Sequence, residues 1–321
     1  MKKALIVAVT VVSVLCAPAH AETGSAKKTT VSKKVTVSKK SAATKARVKH
    51  ASYQRDHIVG SRAPSPVPLG LQSSAVLVQD QATGSVLYEK NADAVVPIAS
   101  ISKLMTAMVT LDAHPDLHEE MAISEEDVDT LKGTHSRLKI GTQLPREDML
   151  RLALMSSENR AASALSRYYP GGRPAFVAAM NRKAQELGLT DTHFEDPTGL
   201  TSANVSSAHD LVKMVAAAHR YPLIREFTTT GEYSVMVAGR VQEFHNTNSL
   251  VRSANSGWDI GLSKTGFINE AGKCLVMQAW FNQKPMIIVL LDSWGRMTRI
   301  GDANRIKKWV EHYALANKDN T

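Results

Sequence analysis

Apolar positions change their spacing along this chain, and the changes mark its elements. Ala75-Val76-Leu77-Val78 and Val86-Leu87-Tyr88 are short apolar runs flanking Ala82-Thr83-Gly84, the pattern of a β-hairpin. Cys274 to Phe281 and Met286 to Leu291 repeat that pattern around Asn282-Gln283-Lys284-Pro285, with Ile260 to Phe267 as a further sheet element beside them. Between the hairpins the period lengthens. Ile101, Leu104, Met105 and Met108 recur at helical spacing, and 149–169 and 175–187 read as helical. Ile300, Ala303, Ile306, Val310 and Tyr313 share one face of a final helix. Strands at both ends with helices between them predict an α/β (α+β) fold, an antiparallel five-stranded sheet packed against a helical block.

The first 70 residues follow neither period. Met1-Lys2-Lys3, the apolar run Ala4 to Ala17 and the small-x-small site Ala19-His20-Ala21 predict a cleaved secretory signal over 1–21. The run is shorter than the roughly 20 residues a membrane span needs. Leu15 is not the small residue that lipidation of Cys16 would want. Cleavage after Ala21 leaves Cys274 as the one cysteine, so no intramolecular disulfide is expected. Cys274 sits in a strand-like run and reads as a buried structural thiol.

Residues 22–70 carry T-V-S-K-K twice, at 30–34 and 36–40, and few large apolar side chains. Such a stretch cannot bury enough surface to offset the entropy of ordering, which predicts a basic disordered linker. Pro64, Pro66 and Pro68 make its end stiff and extended. The folded domain is then expected over 71–321.

Charge follows the same division. The chain has 39 Lys+Arg against 30 Asp+Glu, a net +9, yet residues 22–63 alone hold eleven basic and two acidic side chains. Residues 64–321 carry a net −2, so the basic character belongs to the tail and gives no argument for nucleic-acid binding. The tail reads either as a solvated spacer or as an electrostatic contact with an anionic envelope surface. With 43% apolar residues the remainder is globular in composition.

Three short motifs carry candidate chemistry. In Ser100-Ile101-Ser102-Lys103 a serine opens a helix, where its own N–H can serve an oxyanion, and Lys103 lies one turn on. Such a pair performs acyl transfer when the lysine is neutral, which requires a large fall from about 10.4. Burial and a second cation nearby lower it. S-x-x-K also occurs at Ser25/Lys28, in the tail, and at Ser136/Lys139, without the apolar helical run that follows Lys103.

Ser157-Glu158-Asn159 follows one apolar helical run and precedes another. The same S-x-N spacing recurs at Ser202/Asn204 and Ser253/Asn255, and a helix interruption with local capping would also produce it. Lys264-Thr265-Gly266 is the single K-T-G. Its lysine and hydroxyl suit a carboxylate, its glycine admits a close backbone, and a plain strand-end turn is the bland alternative. His114 and His118 are spaced i, i+4, but Pro115 lies between them. They read as surface histidines, and no metal site or cofactor is expected.

Taken together and in this order, 57 and then 107 residues apart, the three motifs resemble those of the low-molecular-mass penicillin-binding peptidases. The stretches 97–107 (P-I-A-S-I-S-K-L-M-T-A), 154–162 (L-M-S-S-E-N-R-A-A), 188–200 (G-L-T-D-T-H-F-E-D-P-T-G-L), 244–251 (F-H-N-T-N-S-L-V) and 264–267 (K-T-G-F) resemble that family too, and the similarity runs from about residue 71 to 315. The resemblance implies a DD-peptidase/β-lactamase-like fold in which Ser100 is the nucleophile and Lys103 its general base. It implies that Ser157 relays a proton to the leaving amine and Asn159 contacts a substrate amide. Lys264 and Thr265 would form the carboxylate site, with Gly266 admitting the substrate backbone beside them, and the N–H groups of Ser100 and Phe267 the oxyanion hole. Glu158 receives no role.

The implied substrates are peptidoglycan stem peptides and their D-Ala–meso-diaminopimelate cross-links, in the periplasm, with β-lactams as covalent inhibitors. The motifs do not separate a D,D-endopeptidase from a D-alanyl-D-alanine carboxypeptidase. The family's carboxypeptidases usually carry a further β domain and a membrane anchor, and the 55 residues after the K-T-G leave room for neither, which is expected to favour the endopeptidase. A class A β-lactamase would need a carboxylate within E-x-x-L-N, and the chain has no Leu-Asn dipeptide. A non-enzymatic wall-binding module would be expected to show a decayed motif, and all three are whole.

Overall fold

The computed structural model describes residues 56–57, 69–295 and 297–316. The signal expected over 1–21 and most of the linker expected over 22–70 lie outside the described residues, as does the side chain of Tyr313.

One antiparallel sheet runs in the order β1 (Asp56–His57), β3 (Val86–Lys90), β2 (Ala75–Asp80), β12 (Lys284–Ser293), β11 (Gly272–Phe281), β10 (Asp259–Ile268). Its five long strands are those the apolar runs predict, and the two-residue β1 extends one edge. Alternation explains why the central strands read as unbroken apolar runs. Leu77, Val289 and Val276 face the helical block, while Val76, Val78, Leu290 and Leu275 face the C-terminal helix. Both faces are covered, so the six central residues of β11 and of β12 are all buried.

The helical block holds α1 (Lys103–Asp112), α2 (Arg146–Met155), α3 (Asn159–Arg167), α4 (Gly172–Glu186), α5 (Ala208–Ala218) and α6 (Pro222–Thr229). A short α7 (Ser249–Arg252) follows, and α8 (Thr298–Ala316) packs Ala303, Ile306 and Val310 on the opposite face of the sheet. Three ribbons complete the fold: β4 (Val96–Pro97) with β7 (Val205–Ser206), β5 (Glu120–Ala122) with β6 (Gln143–Pro145), and β8 (Glu232–Val237) with β9 (Arg240–His245). The last turns on Ala238-Gly239, both at positive φ, as a two-residue hairpin turn requires.

Helix α1 is apolar nearly all round, and every residue from Lys103 to Thr110 is buried. It is the central helix of the block, and it carries Lys103 at its first turn. The helical stretch expected over 149–169 is in fact two helices. Leu152 O accepts from both Ser156 N and Glu158 N, at 3.2 and 3.1 Å, and the chain turns there through Ser157 at φ 62°. This break places Ser157 and Asn159 side by side at the edge of the block.

Candidate active site

A 3-10 turn (Ala99–Ser102) leads directly into α1. Side chains three apart eclipse in such a turn, which aims Lys103 back at Ser100. Lys103 Nζ lies 2.9 Å from Ser100 Oγ, 2.7 Å from Asn159 Oδ1 and 2.6 Å from the Thr198 carbonyl. A neutral amine has two N–H donors and one lone pair. Asn159 Oδ1 and Thr198 O take the two donors, which leaves the lone pair facing the Ser100 hydroxyl. Burial pushes the fully buried Lys103 down to about 7, against the Asp196 and Glu158 carboxylates that pull it up. The expected second cation is Lys264, itself driven well below its ordinary value by burial, then by Lys103 and Arg299, and each of the two amines disfavours the charge of the other.

Lys264 Nζ lies 3.0 Å from Ser157 Oγ and donates to the Thr265 carbonyl at 2.9 Å. Thr265 Oγ1 donates to Thr247 Oγ1 at 2.6 Å, so two hydroxyls and an amine meet in one corner. Gly266 is where β10 touches the nucleophile. A Cβ there would stand 2.8 Å from Ile98 O and 3.2 Å from Ser100 N. Only a glycine lets the strand edge come this close, and it brings the backbone leading into Phe267 beside Ser100 N–H. The Phe267 ring itself is 55% exposed, with the Lys273 ammonium 4.5 Å from its centroid.

Ser100, Lys103, Ser157, Asn159, Lys264, Thr265 and Gly266 are therefore held together between β10 and the break between α2 and α3, with Phe267 next along the strand. Asn159 does more than the motif implies. Its Oδ1 holds Lys103, and its Nδ2 donates to Thr134 Oγ1 at 3.0 Å, which leaves one N–H for a substrate amide.

Other contributors received no role from the three motifs, although Asp196, Thr198 and Gly199 fall in the stretch 188–200 that resembles the family. The Asp196 carboxylate accepts from the backbone of Thr198 at 2.6 Å and Thr201 at 2.9 Å, which fixes the loop that turns Thr198 O toward Lys103. Asn204, fully buried, ties the same loop to α1: its Oδ1 accepts from Glu195 N and Asp196 N, and its Nδ2 donates to Ser102 Oγ at 2.9 Å. Gly199 (φ +81°) presses on the nucleophile from that side, since a Cβ there would stand 2.8 Å from Ser100 N. Arg299, from α8, donates to the carbonyls of Gly266 and Cys274. Glu158 is buried and accepts from Ser136 Oγ at 2.6 Å. Cys274 pairs with Gly266 across the ladder, and burial raises its thiol to about 11, which makes it a structural group and not a nucleophile. His114 and His118 are exposed.

A comparison with known proteins adds an independent line. Residues 61–295 match a family model described as D-alanyl-D-alanine carboxypeptidase. The chain is 48% identical over 252 residues to a D-alanyl-D-alanine endopeptidase of Pseudomonas aeruginosa, covering 78% of this chain and 81% of that one. It is 46% identical over 243 residues to a D-alanyl-D-alanine endopeptidase of Escherichia coli, covering 75% and 78%. A carboxypeptidase of Bacillus subtilis is 33% identical over 211 residues, covering 64% of this chain and 53% of that one. Among solved structures, the Streptomyces K15 DD-transpeptidase aligns with a TM-score of 0.69 at 29% identity, covering 77% of this chain and 98% of that one. The fold is thus the DD-peptidase type that the motifs imply.

Proposed function

The chain belongs to the D-alanyl-D-alanine carboxypeptidase family of serine peptidases, and on that premise we propose that it is a D,D-endopeptidase of the penicillin-binding protein 7 type. Its substrate is the D-Ala–meso-diaminopimelate cross-link of peptidoglycan, and β-lactams acylate the same serine. The observation that carries this reading is the buried Lys103 amine, 2.9 Å from Ser100 Oγ and poised near neutrality. The 46–48% identity to proteins named endopeptidases supports the choice within the family.

In the proposed reaction Lys103 takes the proton of Ser100 Oγ as it attacks the D-Ala carbonyl. The Ser100 and Phe267 N–H groups receive the oxyanion. Ser157, hydrogen-bonded to Lys264, passes a proton to the departing amine, whose neighbouring carboxylate lies against Lys264, Thr265 and Thr247. Water then releases the acyl group by the reverse proton path. The signal-like residues 1–21 support a periplasmic location, and the basic run that follows supports contact with an anionic envelope surface.

Fluorescent penicillin followed by peptide mass mapping tests the assignment. The label is expected on the peptide that holds Ser100 and absent from Ser100→Ala; a labelled Ser100→Ala protein would refute it. Carboxypeptidase activity is the second reading, favoured by the family model and by the carboxypeptidase relatives. A free carboxylate lies beside the leaving amine in both substrates, so the Lys264–Thr265 corner suits either.

A further inference from the structure

The cleft has a direction. Along β10 the order is Lys264 and Thr265 at the corner assigned to the leaving group's carboxylate, Gly266 beside Ser100, then Phe267 and Ile268. On the facing wall the order is Ser157, then Asn159, then Thr134, which accepts from Asn159 Nδ2. The acyl half of the substrate must therefore leave Ser100 toward Phe267 and Thr134. At that end the two walls are joined. Lys132, two residues before Thr134, forms an ion pair of 2.5 Å with Glu270, in the turn between β10 and β11. The partners are 138 residues apart in sequence.

The Lys132 side of this tie is firmly built. The Asp129 carboxylate accepts from Leu131 N, Lys132 N, Thr134 N and Thr134 Oγ1, which shapes the loop 129–134. Two residues of chain place Lys132 within about 7 Å of Thr134, backbone to backbone. The pair itself is open to water, with side-chain exposures of 29% and 44%. Exposed ion pairs add little net stability, so another carboxylate can replace Glu270 at small cost. A second cation, Lys273, stands on the same hairpin over the Phe267 ring. Lys132 and Lys273 thus set two cations at this end, beside the Asp129 and Glu270 carboxylates.

We propose that Lys132 is a specificity residue for the acyl-donor strand: it binds a carboxylate of the donor peptide, and Glu270 holds it in place until that carboxylate displaces it. The proposal deepens the reading of the site given above and rests on it. It identifies the donor as an acidic peptide, which the stem peptides of peptidoglycan are.

The test uses two cephalosporins with one nucleus, so that only the acyl side differs. Glutaryl-7-aminocephalosporanic acid ends its acyl chain in a carboxylate; cephalothin carries a neutral thienylacetyl chain. Second-order acylation constants are measured for the unaltered protein, Lys132→Met, Glu270→Gln and the exchanged pair Lys132→Glu/Glu270→Lys. The glutaryl-to-cephalothin ratio is expected to fall about two- to fivefold in Lys132→Met, the range an exposed ion pair spans, and to rise in Glu270→Gln. The exchanged pair restores the tie with the wrong charge on the loop, so its ratio is also expected to fall. A ratio that is constant across the four proteins, or an exchanged pair that matches the unaltered protein, overturns the proposal and leaves the serine chemistry intact. Failure of both cephalosporins to acylate the unaltered protein overturns the reading of the site, and this proposal with it.

Discussion

Lys103 decides the chemistry through its proton. Acylation needs the neutral amine, and burial sets its pKa at about 7. The acylation rate with penicillin is therefore expected to rise with pH through about 7 and then level. Lys103→Arg, which stays protonated, is expected to lose about 10²- to 10⁴-fold, as loss of a general base does. A flat pH profile between 6 and 8 would contradict this. The same shift acts on stability. Between about 7 and the ordinary lysine value of about 10.4, the unfolded chain holds a proton that the folded chain has released, so stability rises with pH across that window. Denaturation at pH 7 and pH 9 should show the unaltered protein gaining on Lys103→Met; equal changes in both would mean that Lys103 is charged in the fold. Ser100, Lys103, Ser157 and Lys264 could be read from sequence because each sits in a short motif. The groups that tune them could not. Thr198 acts through a carbonyl 95 residues from Lys103, and Arg299 reaches Gly266 from 33 residues away. Neither role leaves a trace in local spacing.

Elements place these residues by close approach. Gly266→Ala would set a methyl 2.8 Å from Ile98 O, so β10 must move away from the nucleophile. A displacement near 1 Å costs on the order of 10²-fold in rate. The variant is expected to fold and to acylate about 10²-fold more slowly; an unchanged rate would show that the contact does not set the geometry. Asn204→Ala would strip partners from Glu195 N, Asp196 N and Ser102 Oγ. It is expected to cost about 2–4 kcal/mol in urea denaturation, since unpaired buried polar groups cost about 1–3 kcal/mol each and some regain water. At this scale the sequence foretold the long strands well, because alternation on a sheet covered on both faces gives unmistakable apolar runs. It did not show α5, α6 or the β8–β9 hairpin. It read 149–169 as helical and took a helix interruption at Ser157-Glu158-Asn159 as the bland alternative to a site, because Ser157 takes a left-handed conformation that no glycine announces. That break carries the second motif, so the misread boundary was a functional one.

A polar staple joins the residues before β2 to α8. Asp302, fully buried on α8, accepts from Gln72 N, Ser73 N and Ser73 Oγ, and pairs with Arg305. It ties the entry to β2 to the helix that also supplies Arg299. Asp302→Ala is expected to lose about 3 kcal/mol, since Gln72 N, Ser73 N and Ser73 Oγ lose their acceptor while Arg305 stays in water. Protease should then cut near residue 70; a loss under about 1 kcal/mol would mean the staple is not holding. The central claim concerns the bond that is cut, and one assay addresses it. Purified residues 22–321 would be given a cross-linked tetrapeptide dimer and an uncross-linked pentapeptide monomer, with Ser100→Ala as control. Cleavage of the dimer to monomers, absent in Ser100→Ala, is the predicted result; trimming of the pentapeptide with the dimer left intact would contradict it and make the enzyme a carboxypeptidase.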